Sequence, residues 1–139
     1  MSRFVLDASV GLAWFLDNPV PDLASRLRQS LQNGSCAVVP ALWRLEVANA
    51  LAIAERRRDL ASAFTDQCLT DIEDLMVSVI EQSTAEISLR QSLSVARAFR
   101  LTAYDAVYLE TARREGLPLA TLDRQLVVAA SKAGVEIVS

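Results

Sequence analysis

The sequence predicts an α/β fold of three layers, α/β/α, with helices on both faces of a central, mostly parallel sheet of about five strands. Short apolar runs alternate with longer helical patterns along the whole chain, which is typical of parallel strands joined by helices. The chain has 139 residues, of which 52% are hydrophobic, with only four Gly and four Pro. That length and composition suit one globular domain, which we expect to span residues 1–139.

Residues that break helices separate the elements of the first half of the chain. The apolar run Arg3–Leu6 predicts the first strand, and a helix begins near Ser9 and ends before Asn18-Pro19. A second helix is expected over Asp22–Gln32, because Asn33-Gly34 stops it. The next two elements are a strand over Cys36–Val39 and a long helix from Pro40 to about Arg58.

The second half repeats this alternation. Asp59 is expected to cap a helix that reaches Leu75, and Val77–Ile80 predicts the third strand. Ser83 or Thr84 then opens a helix that extends to about Phe99. The remaining elements are a helix over Thr102–Glu115 that ends at Gly116, a strand over Leu117–Thr121, a helix over Asp123–Lys132 and a last strand over Val135–Val138.

The composition excludes several kinds of catalytic site. The chain has no histidine, which rules out histidine bases, Ser-His-Asp triads and most zinc sites. Cys36 and Cys68 show no disulfide spacing pattern, so we expect reduced packing residues. No uncharged apolar stretch approaches the roughly 18 residues that a membrane helix needs. We therefore expect a cytoplasmic protein, with no membrane association, whose chemistry uses carboxylates, hydroxyls and arginines.

The charge balance leaves nucleic-acid binding open. A net charge of −3 gives no overall attraction to phosphate, whereas a basic domain is the usual sign of nucleic-acid binding. Thirteen of the fourteen basic residues are nevertheless arginine, which suits two-point contacts with phosphate. Groups such as Arg56-Arg57-Arg58 and Arg113-Arg114 are either local phosphate-binding patches or solvated helix ends.

Four acidic residues lie within apolar sequence or end an apolar run, namely Asp7, Glu46, Asp105 and Asp123. Asp7 follows the first predicted strand and Asp123 follows the fourth. Ligands of parallel sheets gather at the carboxyl ends of the strands, so these two carboxylates meet if the strands are neighbours. Several buried carboxylates in one place need a compensating cation, since each unpaired one costs several kcal/mol.

Glu46 and Asn49 are placed by helical periodicity. In the long helix they share one broad face with three apolar residues, Leu42, Leu45 and Ile53. We therefore expect Glu46 and Asn49 to point inward, among residues that would otherwise form core. Trp14, Phe15 and Trp43 are expected to pack in the core, with a partner-binding surface as the alternative.

Each acid also has a purely structural alternative. Asp7 and Asp123 directly precede helical patterns and could cap them, and Asp105 could complete a capping box with Thr102. Glu46 could form an internal ion pair with an arginine of another helix. Ser9 and Thr121 place a hydroxyl two residues from Asp7 and from Asp123, which favours one shared cleft over four unrelated acids.

These segments, in this order and spacing, resemble the PIN-domain ribonucleases, and specifically the VapC-like toxins of type II toxin-antitoxin pairs. The resemblance covers essentially the whole chain, and the segments that carry it are Val5-Leu6-Asp7-Ala8-Ser9, Pro40 with Glu46-Val47-Ala48-Asn49-Ala50-Leu51, Thr102-Ala103-Tyr104-Asp105-Ala106-Val107-Tyr108-Leu109, and Leu119-Ala120-Thr121-Leu122-Asp123. It implies a PIN-like fold and metal-dependent cleavage of RNA. By this resemblance Asp7, Glu46, Asp105 and Asp123 form the acidic catalytic and metal-binding quartet, with Ser9, Asn49 and Thr121 in support.

Oxygen ligands without His or Cys favour a hard cation, so Mg²⁺ is expected, with Mn²⁺ as the alternative. The resemblance further implies three partners: an RNA substrate, a cognate antitoxin protein and a second copy of the chain in a homodimer. Two alternatives remain, a PIN-fold protein that acts mainly by binding protein or RNA, and a PIN nuclease of RNA processing rather than a toxin. A phosphorylated receiver domain and a haloacid-dehalogenase-like phosphatase fit poorly, since Asp7 has no adjacent acid.

Overall fold

The computed structural model describes residues 2–139. Its strands and helices alternate in the order β1 (Arg3–Leu6), α1 (Ala8–Leu16), α2 (Asp22–Gln32), β2 (Cys36–Val39), α3 (Leu42–Arg56), α4 (Ser62–Ser78), β3 (Ile80–Gln82), α5 (Leu89–Phe99), α6 (Ala103–Glu115), β4 (Leu119–Ala120) and α7 (Arg124–Ala133).

The strands form one parallel sheet in the order β3-β2-β1-β4, flanked by helices. The α/β prediction is therefore confirmed, and the strand that precedes Asp7 lies beside the strand that precedes Asp123. The expected fifth strand, Val135–Val138, is reduced to a single bridge between Leu119 and Ile137. Because β4 has only two residues, it offers the following segment very little edge to pair with.

Burial of the central strands explains their sequences. Three of the four residues of β1 and of β2 are buried, as expected for parallel strands covered by helices on both faces. Trp43 of α3 is 1% exposed and packs on α1, where a Cβ at Gly11 would lie 3.0 Å from its ring. Gly11 thus permits the close approach of α1, which Asp7 directly precedes, to α3, which carries Glu46.

The other aromatic and cysteine predictions hold. Trp14 and Phe15 are partly buried against the same core, so all three aromatic side chains belong to the packing rather than to an exposed surface. Cys36 and Cys68 are free thiols.

Within residues 2–139, no helix combines the length and the apolar character needed to cross a membrane. The division into one domain over 1–139 stays a prediction.

The predicted boundaries of α4, β3 and α5 are wrong. Helix α4 is preceded by Ala61 rather than capped by Asp59, and it continues through Ser78. The third strand is therefore Ile80–Gln82 instead of Val77–Ile80. Helix α5 begins after Ser88, whose hydroxyl accepts from the Gln91 backbone N–H in a capping box, rather than at Ser83 or Thr84.

Candidate active site

All four predicted acids line one cleft at the carboxyl ends of β1 and β4. The cleft has a volume of about 350 Å³ and is lined by Asp7, Ala8, Ser9, Leu12, Glu46, Asn49, Ala50, Ile53, Asp105 and Asp123. A larger groove between α3 and α4, of about 480 Å³, is mostly apolar and lacks this collection of carboxylates. The sequence-based grouping of Asp7, Glu46, Asp105 and Asp123 is thus matched by their position.

Asp7 is held at the floor of the cleft by two hydroxyl groups. Its carboxylate is 5% exposed, and its Oδ2 accepts hydrogen bonds from Thr121 Oγ1 at 2.6 Å and Ser9 Oγ at 2.8 Å. It stands at the N-cap position of α1 but makes no capping bond. The capping alternative is therefore wrong for Asp7, and both hydroxyls bind the same oxygen, Oδ2.

Ser9 and Thr121 also join the two strand ends. The Leu122 N–H donates to Ser9 Oγ at 3.0 Å, and the Asp123 N–H donates to Thr121 Oγ1 at 3.0 Å. The same two hydroxyls that bind Asp7 therefore fix the loop that carries Asp123. The supporting role expected of Ser9 and Thr121 in catalysis stays a prediction.

Glu46 is half-buried on α3 and has an unexpected partner. Its Oε1 accepts a hydrogen bond from the Tyr108 hydroxyl at 2.5 Å, and no ion pair within residues 2–139 involves Glu46. The internal ion pair considered for Glu46 is thus wrong. Sequence reasoning missed Tyr108, although its position three residues after Asp105 on α6 places both on one face of that helix.

The predicted inward face of α3 is only partly correct. The buried stripe consists of Trp43, Val47 and Leu51, so the helix is rotated relative to the expected orientation. As a result Leu45 is 74% exposed, and Asn49 is an exposed residue at the margin of the cleft rather than an inward one.

Asp105 lies in the first turn of α6 and lines the cleft. Thr102 caps this helix, with its Oγ1 accepting from the Asp105 backbone N–H at 3.1 Å. This bond is half of a capping box. Since the Asp105 carboxylate faces the cleft, the capping alternative explains the backbone of this residue and not its side chain.

Asp123 combines a structural task with a place in the cleft. Its Oδ1 accepts from the Gln125 N–H at 2.8 Å and the Leu126 N–H at 3.4 Å, so it caps α7 as the structural alternative proposed. Both capping bonds use the same oxygen, and Oδ2 remains for the cleft.

The family follows from the whole-chain match. The model of the PIN domain family matches residues 4–132. The chain belongs to the PIN domain family. No curated protein matches the sequence. PIN domains are generally metal-dependent nucleases, which gives the acidic cleft its chemical context.

Two solved structures share this PIN fold at low sequence identity. One is the crystal structure of PAE2754 from Pyrobaculum aerophilum, with a TM-score of 0.67 and 24% identity over 92% of this chain and 84% of the other. The second is FitAcB from Neisseria gonorrhoeae, with a TM-score of 0.67 and 18% identity over 98% of this chain and 96% of the other.

The acids of the PIN cleft shift one another's protonation. Burial and then the charges of Asp123, Asp7 and Glu46 raise the pKa of Asp105 to about 6. Burial raises the pKa of Asp7, against the opposing effect of its bonds to Thr121 and Ser9. Burial also raises the pKa of Glu46, while the Tyr108 bond lowers it. The expected mutual repulsion of the acids is therefore present.

The donor set of the PIN cleft fits a hard divalent cation, although the side chains are not closed around one position. Within residues 2–139, no group of three or more Asp, Glu or Cys side chains is arranged to hold a metal ion. Mg²⁺ usually binds through one or two carboxylates and keeps several waters, so it does not need a closed set of protein ligands. Oδ1 of Asp7 and Oδ2 of Asp123, which the side-chain and capping bonds above do not use, are suitable oxygen ligands.

Proposed function

We propose that this PIN-domain protein is a metal-dependent endoribonuclease that hydrolyses RNA phosphodiester bonds. The observation that carries the proposal is the convergence of Asp7, Glu46, Asp105 and Asp123 on one cleft. The raised pKa values of three of these acids support it, because a cleft that holds repelling carboxylates gains free energy from a bound cation.

Asp7, Asp105, Glu46 and Asp123 would hold Mg²⁺, or Mn²⁺ in its place. The cation would polarise the scissile phosphate and lower the pKa of a bound water. Ser9 and Thr121 fix Asp7 through Oδ2, so Asp7 enters the reaction already oriented. Glu46 serves either as a ligand or as the base for the attacking water, and Asn49 at the margin of the cleft offers an amide to the RNA.

The nuclease proposal is tested by cleavage of total cellular RNA with the purified protein in Mg²⁺, Mn²⁺ or EDTA. We expect cutting that needs the metal and is abolished in Asp7→Asn and in Asp105→Asn, whereas Asp66→Asn, an exposed acid of α4, retains it. Asp7→Asn should keep the fold, because it removes a buried charge and can still accept the Ser9 and Thr121 hydrogen bonds.

Metal-independent cutting, or full activity of Asp7→Asn, would contradict the assignment of the cleft. No cutting with either metal, in a preparation shown to lack a bound inhibitor protein, would instead favour a PIN-fold protein that acts by binding.

We also propose that the ribonuclease is the toxin of a toxin-antitoxin pair, acts in the cytoplasm, and is neutralised by a cognate antitoxin. The support is the resemblance of the motifs around the four acids to those of VapC-like toxins, in which the C-terminal segment of the antitoxin covers the active groove. Homodimerisation is proposed on the same ground, and sedimentation equilibrium would test it.

Induced expression in bacterial cells tests the toxin role. The unaltered protein should arrest growth, and Asp7→Asn should not. If the unaltered protein is expressed at the same level as Asp7→Asn, cleaves RNA and still allows normal growth, a role in RNA processing is favoured over a toxin role.

A further inference from the structure

Tyr108 is buried in a way that packing alone does not explain. The residue is 0% exposed, and a buried phenol hydroxyl costs free energy unless it has a hydrogen-bond partner. Phenylalanine would fill nearly the same space without that cost. The Tyr108 hydroxyl instead donates to Glu46 Oε1 at 2.5 Å, across 62 positions of sequence. The hydroxyl thus links α6 to α3 at the cleft.

Among the described residues, the Tyr108 hydroxyl is the hydrogen-bond partner of the Glu46 side chain. Glu46 has a long side chain on the side of α3 that faces the cleft, and it forms no ion pair within the described residues. Ordering a glutamate side chain costs on the order of 1–2 kcal/mol of rotamer entropy. A donor fixed by a fully buried ring supplies that order before any ligand arrives.

Two other acids of the cleft are likewise held by hydrogen bonds to one carboxylate oxygen. Asp7 is bound through Oδ2 by the Thr121 and Ser9 hydroxyls, and Asp123 is bound through Oδ1 by two backbone N–H groups. In each case one oxygen is occupied by a protein donor and the other is left over. For Glu46 the occupied oxygen is Oε1, and the one left over is Oε2.

We propose that Tyr108 is a positioning residue that fixes Glu46 as a ligand for the divalent cation and leaves Oε2 available to it. This inference rests on the proposed metal-dependent function and adds a residue to it. Tyr108 acts through Glu46 and does not itself touch the cation or the RNA.

The experiment compares Tyr108→Phe with Tyr104→Phe, which removes a hydroxyl from the same helix at a residue that is 64% exposed. Binding of Mn²⁺ alone is measured by titration calorimetry, together with kcat and KM for RNA at subsaturating and saturating metal. Tyr108→Phe should weaken Mn²⁺ binding about tenfold or more, which is the usual loss when a partner of a metal ligand is removed. It should lower kcat at low metal, leave KM for RNA nearly unchanged, and recover activity at high metal.

Two further variants, Glu46→Gln and Glu46→Gln/Tyr108→Phe, show whether Tyr108 acts through Glu46. If it does, Tyr108→Phe has no additional effect on Mn²⁺ affinity once Glu46 is replaced. Wild-type affinity in Tyr108→Phe, or additive losses in the double variant, would overturn the inference while leaving the nuclease intact. An unaltered protein that binds no Mn²⁺ would overturn the proposed function itself. Urea unfolding of each variant checks the fold. If Tyr108→Phe is unstable, Glu46→Gln alone still tests the inference, because wild-type Mn²⁺ affinity in that variant would show that Glu46 is not a ligand.

Discussion

At the scale of single residues, the cleft brings together buried polar groups that would each destabilise the fold without a hydrogen-bond partner. Asp7 is 5% exposed and Tyr108 is 0% exposed, and each would destabilise the fold without a partner. Asp7 accepts hydrogen bonds from the Thr121 and Ser9 hydroxyls, and the Tyr108 hydroxyl donates to the Glu46 carboxylate. The remaining repulsion between carboxylates is a cost that the metal-free protein carries.

Burial and mutual repulsion raise the pKa values of these acids in the folded protein, which predicts that the free energy of unfolding depends on pH. The pKa of Asp105 is about 6 in the folded protein and about 3.9 in an unfolded chain. Between these values the folded state keeps a proton that the unfolded state releases, so the free energy of unfolding falls as pH rises from about 4 to about 6. Asp7 and Glu46 act in the same direction, since their pKa values are also raised.

The measurement is urea unfolding in EDTA from pH 4 to pH 7. Asp105→Asn should gain stability relative to the unaltered protein as pH rises through this window, and Asp66→Asn, at an exposed acid outside the cleft, should not. An equal pH slope for the unaltered protein and Asp105→Asn would show that neither burial nor the neighbouring charges raise the pKa of Asp105.

The sequence indicated which residues meet in the cleft better than how they are held. Asp7, Glu46, Asp105 and Asp123 could be grouped because strand ends and helix periodicity constrain their positions. Tyr108 could not be linked to Glu46, since their contact joins positions 62 residues apart. Nor could periodicity fix the rotation of α3, where Leu45 is 74% exposed because Trp43, Val47 and Leu51 form the buried stripe.

At the scale of elements, Asp123 connects helix stability with the cleft. Its Oδ1 caps α7, and its Oδ2 is available to a ligand. We expect Asp123→Asn and Asp123→Ala both to lose RNA cleavage. Only Asp123→Ala should also lose the cap, which is worth about 1 kcal/mol, because an asparagine oxygen can still accept from the Gln125 and Leu126 N–H groups.

The free energy of unfolding of the two variants in EDTA, measured with urea, separates these effects. Asp123→Asn is the matched control, since both variants remove the same charge. Equal stability of the two would mean that the capping bonds contribute nothing to α7.

Element boundaries were predictable where turn residues mark them. The ends of Asp22–Gln32 and Cys36–Val39 agree with the prediction because Asn33-Gly34 separates them. The start of α5 was not, since Ser83 and Ser88 are both possible caps. The Ser83 hydroxyl instead donates to Glu115 at 2.8 Å and accepts from the Ala85 N–H at 3.1 Å. The sequence predicts a strand at Val77 because nothing nearby in the sequence indicates that an apolar residue at the end of a helix is exposed. In the structure Val77 is 89% exposed.

At the scale of the whole molecule, the order of the strands creates the site. β1 lies beside β4, which brings Asp7 to Thr121 across 114 positions, while α3 and α6 add Glu46 and Asp105 to the same cleft. Parallel pairing with crossovers was predictable from the alternation of elements. The shortness of the fifth strand was not, because it depends on the two-residue length of β4.

This assembly predicts that a divalent cation stabilises the whole fold. A ligand that binds only the folded state adds RT ln(1 + [L]/Kd), or about 2.7 kcal/mol at one hundred times Kd. For a domain of this size that raises the melting temperature by roughly 10 °C. The double variant Asp7→Asn/Asp105→Asn should lose this rise, and in EDTA it should be at least as stable as the unaltered protein, since two of the repelling charges are gone. Glu73→Gln, an acid of the apolar groove between α3 and α4, should keep the full rise. If the double variant is stabilised by Mn²⁺ as strongly as the unaltered protein, the cation binds elsewhere and the four acids do not form its site.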